Sequence, residues 1–161
     1  MDHRNEQVEA FVQALHTASQ REKKPLVRST HFLLPPGDND PIEHNILSWK
    51  AQEFAYRQFS QDREALPTLA RGLFTEKVHG QYERIVIRGY DKFFNQDELA
   101  WTLPNAIATY STGPFILSFK ENGCIIFISA ITPKRLVVTS KHSLGFRTEG
   151  DKPTHAEMGW H

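Results

Sequence analysis

The sequence predicts an α+β domain, mostly antiparallel sheet, with a helix at its N-terminal end. Three observations predict it. Val8, Phe11, Val12 and Leu15 recur at helical spacing near the start of the chain. From residue 68 onward, short runs rich in Ile, Val and Phe follow one another. The joints between them are short and turn-like, which suits antiparallel neighbours.

The helix covers residues 5–20, with Asn5 placed as its cap, and "QREKKP" ends it with charge and a proline. "LVRSTHFLL" is a candidate strand and "PPGDNDP" a loop. "TLARGLFTE" and "RIVIRGY" read as strands separated by "KVHGQYE", a turn around Gly80. "AWTLPNAIATYSTGP" holds a short helix opened by Pro104 and stopped at Gly113. "FILSF", "CIIFISAI" and "RLVVTS" then complete the sheet, joined by "KENG" and "TPK". The chain carries no internal repeat and no low-complexity tract.

The totals narrow the function classes. A length of 161 residues suits one domain with a real core. An apolar content of 39% with eleven Phe argues against disorder. Nineteen basic and nineteen acidic residues cancel, so any nucleic-acid partner must be held by a local basic surface. A single cysteine, Cys124, forms no intramolecular disulfide and suits a reducing compartment. "MDHRNEQVEA" lacks a signal-peptide core, and no apolar run reaches the length of a membrane span. The expectation is a soluble intracellular domain, of the nucleus or the cytoplasm, or a piece of one.

The chemistry centres on "FILSFKENGCIIFIS", residues 115 to 129, where Lys120 interrupts two apolar runs. Asn122 and Gly123 tolerate the positive φ that a tight hairpin demands. Lys120 itself has two readings, a solvated lysine at a hairpin mouth or a nucleophile. A lysine has a reference pKa of about 10.4 and is almost wholly charged at neutral pH. Neighbouring cations and an apolar sheet edge would lower that value and free the lone pair. Four further basic residues, Arg71, Arg88, Lys92 and Lys141, stand at or near strand ends. Cations there would bind a triphosphate and neutralise charge on a leaving pyrophosphate.

Other residues carry less. The eight His are scattered without zinc-ligand spacing, so the residues point to no protein-held metal. His142, beside Lys141, is either a phosphate donor or a surface histidine. Cys124 reads as a small core residue. Phe93 and Phe94 either stack on a base or place one ring in the core. Trp49 and Lys50 receive no mechanism from spacing.

K-x-x-G around Lys120 resembles the first motif of the covalent nucleotidyltransferases. In order, "SWKAQEFAYRQ", "LPTLARGLFTE", "RGYDKFFNQDE", "TGPFILSFKENGCIIFISA" and "LVVTSKHSLG" resemble the adenylyltransferase domain of fungal tRNA ligases. The A-R-G and K-F-F-N elements are also similar to those of phage-type RNA ligases. The resemblance implies that residues 46–161 bear the motifs, with residues 1–45 as an N-terminal helix and loop. It implies that Lys120 forms a covalent adenylate with ATP and that Asn122 and Gly123 shape the loop around the nucleotide. It implies that Lys141 acts on the phosphates or on the RNA end, that Arg71 and Lys92 lie near the triphosphate, and that Glu121 has no role; Arg88, at its strand end, and His142, beside Lys141, are candidate RNA or phosphate contacts from their positions alone. The implied partners are Mg²⁺ and RNA ends, a 5′-phosphate and a 3′-OH of tRNA exon halves. The later motifs of the superfamily, its acidic strand residues and distal K-x-K, are absent before the final "THAEMGWH". The expectation is therefore the N-terminal part of such a domain, incomplete at its C-terminus, which adenylylates poorly by itself. A non-catalytic protein that binds nucleotide or RNA ends, and a DNA ligase or capping enzyme, are the alternatives.

Overall fold

The computed structural model describes residues 3–62, 65–80, 82–145 and 153–160. Helix α1 (His3–Ser19) leads into strands β1 (Val27–Leu34) and β2 (His44–Ala51) and helix α2 (Glu53–Gln61). Strands β3 (Leu73–Val78) and β4 (Tyr82–Arg88) follow, then α3 (Pro104–Tyr110). Strands β5 (Phe127–Thr132) and β6 (Arg135–Thr139) and the short α4 (His155–Met158) complete the chain. The fold is α+β, as the sequence predicts.

Strands β1 to β4 form an antiparallel sheet in chain order, and β5 pairs with β6 as a separate hairpin. Alternation along the strands sends successive side chains to opposite faces, and both faces are covered. Trp49 and Leu73 point to the face occupied by Leu15 and Ala18 of α1 and by Ala55 and Tyr56 of α2. Ile46, Phe74 and Ile87 point to the other face, against Ile131 and Val137 of the hairpin. Each such fully buried large side chain contributes about 1.5–3 kcal/mol. The hairpin is thus the second layer of the domain.

Polar side chains inside these layers are paired. Trp49 Nε1 donates to Thr75 Oγ1 at 2.8 Å, and that hydroxyl donates to Glu83 Oε2 at 3.1 Å. Glu83 Oε1 lies 2.8 Å from His16 Nε2, which joins α1 to β4.

Several expectations change. Helix α1 begins at His3, ahead of Asn5, so Asn5 lies inside the helix and its side chain lies outside the described part. Strand β2 and helix α2 carry no strong turn markers, and sequence reading left them unassigned. "FILSF" is not a strand, and "CIIFISAI" becomes one only at Phe127. The reason is the missing partner: among the described residues no strand offers 115–119 a ladder, and β propensity without one does not hold an extended segment in a sheet. Phe115 is 67% exposed, and Ile116, Leu117 and Phe119 are at least 94% exposed. "KENG" is consequently not a hairpin turn, and Cys124, expected in the core, is exposed.

Candidate active site

Strand ends and turns, not strand centres, position the cations. Lys50 is the penultimate residue of β2, and Glu53 opens α2 immediately after it. Arg71 and Lys92 lie on two segments that continue the β3–β4 pairing beyond the strands. Arg71 N–H donates to Tyr90 O at 2.9 Å, Gly89 N–H to Gly72 O at 2.6 Å, and Lys92 N–H to Leu69 O at 2.8 Å. The "SKHS" turn after β6 is closed by Ser140 N–H donating to Ser143 O at 2.9 Å and by a 2.6 Å contact between the two hydroxyls. Lys141 and His142 occupy its centre. Ser48 Oγ donates to His142 O at 3.0 Å and ties this turn to β2 beside Lys50.

The charges of these residues act on one another. Burial lowers the pKa of Lys141 below the ordinary lysine value. Arg71, Lys50 and Lys92 lower it further, against the pull of Glu53. The same surroundings hold His142 at about 4, burial first, then Lys141, Lys50 and Arg71. His142 is therefore neutral at pH 7, and its buried Nδ1 has no hydrogen-bond partner among the described residues. Arg71 Nε is likewise buried without a partner, while its Nη2 lies 3.3 Å from Glu53 Oε1.

Lys92 is held differently. Its side chain is 8% exposed, with Nζ 2.8 Å from Glu98 Oε1 and stacked over Phe94, 4.6 Å from the ring centroid. Glu98 also accepts from Asn95 N–H at 2.8 Å, so K-F-F-N-x-x-E closes into one loop. Hydrogen bonds from Lys92 and Asn95 hold the Glu98 carboxyl below its usual range. Phe94 packs edge-on against Tyr56 and Trp101, whereas Phe93 is exposed. Burial raises the Tyr56 hydroxyl above its ordinary pKa, which keeps it a neutral donor.

The structure thus brings Arg71, Lys92, Lys141 and His142 together. It does not bring the others. Arg88 is engaged locally, 2.6 Å from Asp91 Oδ1. Lys120, Asn122 and Gly123 lie in the exposed 112–125 segment, and Gly123 keeps a positive φ of 150° with open space around it. Lys120 makes no hydrogen bond or ion pair with any described residue. Sequence reasoning missed Glu53, Tyr56 and Glu98 and gave Lys50 no role. Lys50, Glu53 and Tyr56 lie on the strand β2 and helix α2 that run up to the site, whereas Glu98 closes the loop that carries Lys92. Among the described residues no three His, Cys, Asp or Glu converge as a metal cage.

Four cations, two buried ring or guanidinium nitrogens without a partner among the described residues and two carboxylate neighbours thus meet on an α+β scaffold, a charge pattern that suits an anionic ligand. Comparison narrows the class. The family model for RNA ligase matches residues 69–161, which include Arg71, Lys92, Lys120 and Lys141. The chain belongs to the RNA ligase family. Over 150 residues, 86% of the chain, it is 44% identical to tRNA ligase 1 of Schizosaccharomyces pombe. Over 110 residues, 66% of the chain, it is 46% identical to the tRNA ligase of Candida albicans. The chain spans 18% and 12% of the length of these two relatives.

Proposed function

We propose that this chain is the motif-bearing part of an ATP-dependent RNA ligase domain that forms a lysyl-adenylate on Lys120 and joins RNA ends in tRNA splicing or RNA repair. The observation that carries the reading is the convergence of Arg71, Lys92 and Lys141 from three separate stretches of sequence.

Lys120 Nζ attacks the α-phosphorus of ATP, losing a proton to solvent. The N–P bond forms and the bond to the bridging oxygen breaks, so pyrophosphate leaves with the electron pair. Arg71, Lys92 and Lys141 stabilise the charge gathering on that leaving group. An oxygen of an RNA 5′-phosphate then takes the AMP from Lys120. The 3′-OH of the other RNA end attacks this activated phosphate, and AMP leaves as the phosphodiester forms. Among the described residues no protein cage for Mg²⁺ is formed, and a divalent ion would be carried in by the phosphates of the nucleotide.

One observation favours a second reading. Lys120 stands in an exposed segment with none of the cluster's contacts, as in a protein that binds nucleotide or RNA ends without the chemistry. Intact-mass spectrometry after incubation with ATP and Mg²⁺, beside Lys120→Ala, separates the two. An AMP adduct on the wild type alone supports the ligase reading. Saturable ATP binding with no adduct supports the second.

A further inference from the structure

The glycines of the A-R-G and R-G-Y motifs share one neighbour. Gly72 has φ +85°, and a Cβ on it would stand 2.3 Å from Phe127 Cε2. A Cβ on Gly89 would stand 2.6 Å from Phe127 Cζ and 2.0 Å from Arg71 O. The Phe127 ring therefore occupies the space that both side chains would need. Gly72 directly follows Arg71, and Gly89 donates across to Gly72, so the ring rests on the ladder that carries Arg71 and Lys92.

Phe127 is also the first residue of β5 and pairs in register with Thr139 of β6. Lys141 lies two residues beyond Thr139, at the centre of the Ser140–Ser143 turn. Phe127 thus touches the sheet's cation ladder with its ring and pairs through its backbone with the strand that leads to the third cation. Because packed interiors resist even small displacements, such a contact fixes distances and not merely proximity.

We propose that Phe127 is a positioning residue for the phosphate site: seated on Gly72 and Gly89, it sets Lys141 in register with Arg71 and Lys92. The inference rests on the proposed function in so far as those cations bind a triphosphate. It gives the two motif glycines a reason in the geometry of the site, since a Cβ at either position would collide with the Phe127 ring, and at Gly89 with Arg71 O as well.

The test is a double-mutant cycle between Phe127 and Lys141 in the full chain, read by calorimetric binding of tripolyphosphate. Lys141→Ala is expected to weaken binding about tenfold, and Phe127→Ala, still folded by circular dichroism, by a similar factor. The double variant should be no more than about threefold weaker than either single one, because Lys141 is already out of register without the ring. Phe127→Leu should show the same non-additivity with a smaller first step, which covers an alanine variant that does not fold. Additive effects, or a folded Phe127→Ala or Phe127→Leu chain that binds within twofold of wild type, would overturn the proposal and leave Phe127 a core residue only. A wild type that binds tripolyphosphate but forms no adenylate would count against the proposed function and not against this inference.

Discussion

His44 lies between two carboxylates, with Nε2 2.9 Å from Asp40 Oδ2 and Nδ1 2.5 Å from Glu76 Oε1, and all three residues are buried. The chain of contacts continues in both directions. Thr132 Oγ1 donates to Asp40 Oδ2 at 3.1 Å, and Arg84 bridges Glu76 Oε2 at 2.6 Å and Ile131 O at 2.5 Å. This network is the polar counterpart of the Phe127 contact: it ties the other end of β5 to the four-stranded sheet.

Removing the imidazole leaves a buried carboxylate without its partner. His44→Ala is expected to destabilise the chain by about 3–5 kcal/mol. A urea unfolding curve checks it, and a shift under about 1 kcal/mol would mean the network relaxes without loss.

Asp40 sets an acid limit. The hydrogen bond from His44 holds its carboxyl below the ordinary 3.8, burial opposes, and Ile42 N–H and the Thr132 hydroxyl add to the lowering. A depressed carboxyl stabilises the fold fully above the unfolded value and loses that contribution as pH falls through the folded one. The urea midpoint should therefore fall below about pH 4. Asp40→Asn should be less stable at pH 7 and flatter across that window.

His142 titrates with the opposite chemistry. Its pKa is about 4 in the folded chain against 6.5 for an ordinary histidine. The unfolded chain takes up this proton first, so stability falls as pH drops from about 6.5 to 4. An NMR titration of the imidazole should show a midpoint near 4. Tripolyphosphate should move that midpoint upward, because an anion in the pocket offsets Lys141, Lys50 and Arg71. A midpoint unmoved by the anion would place His142 outside the binding site.

Thr75 is wholly buried and serves both Trp49 Nε1 and Glu83. Thr75→Val keeps the volume but orphans the indole N–H, at a cost of about 1–3 kcal/mol. Thermal unfolding measures it, and Thr75→Ser, which keeps the hydroxyl, should recover most of the loss.

The exposed run at 115–119 should behave as a sticky surface and not as core. Ile116→Ser with Leu117→Ser is expected to change stability by less than about 0.5 kcal/mol. The same pair should lower self-association measured by light scattering, since contiguous exposed apolar surface drives contact between chains. A large loss of stability would show that the run packs in solution.

Much of this molecule was legible locally. Helical spacing of Val8, Phe11, Val12 and Leu15 marked α1, and Gly80 marked the β3–β4 turn, because periodicity and positive φ are properties of a few adjacent residues. Arg71, Lys92 and Lys141 were legible as strand-end cations and through the motifs around them. Strand β2 was not: "HNILSWKA" is buried on both faces and lacks alternation, so its type depended on neighbours far along the chain.

Short-range pattern and residue chemistry were enough for the α+β class, most of the elements and the three strand-end cations, Arg71, Lys92 and Lys141, that the fold brings together. Only the tertiary structure decided that Lys50, Glu53, Tyr56 and Glu98 surround them, that His142 is neutral, and that Phe127 sits where two glycines leave room. It also decided that "FILSF" and Lys120 stand away from the sheet. Those outcomes depend on burial, on charges from separate segments and on whether a partner strand exists, none of which is a property of the residues alone.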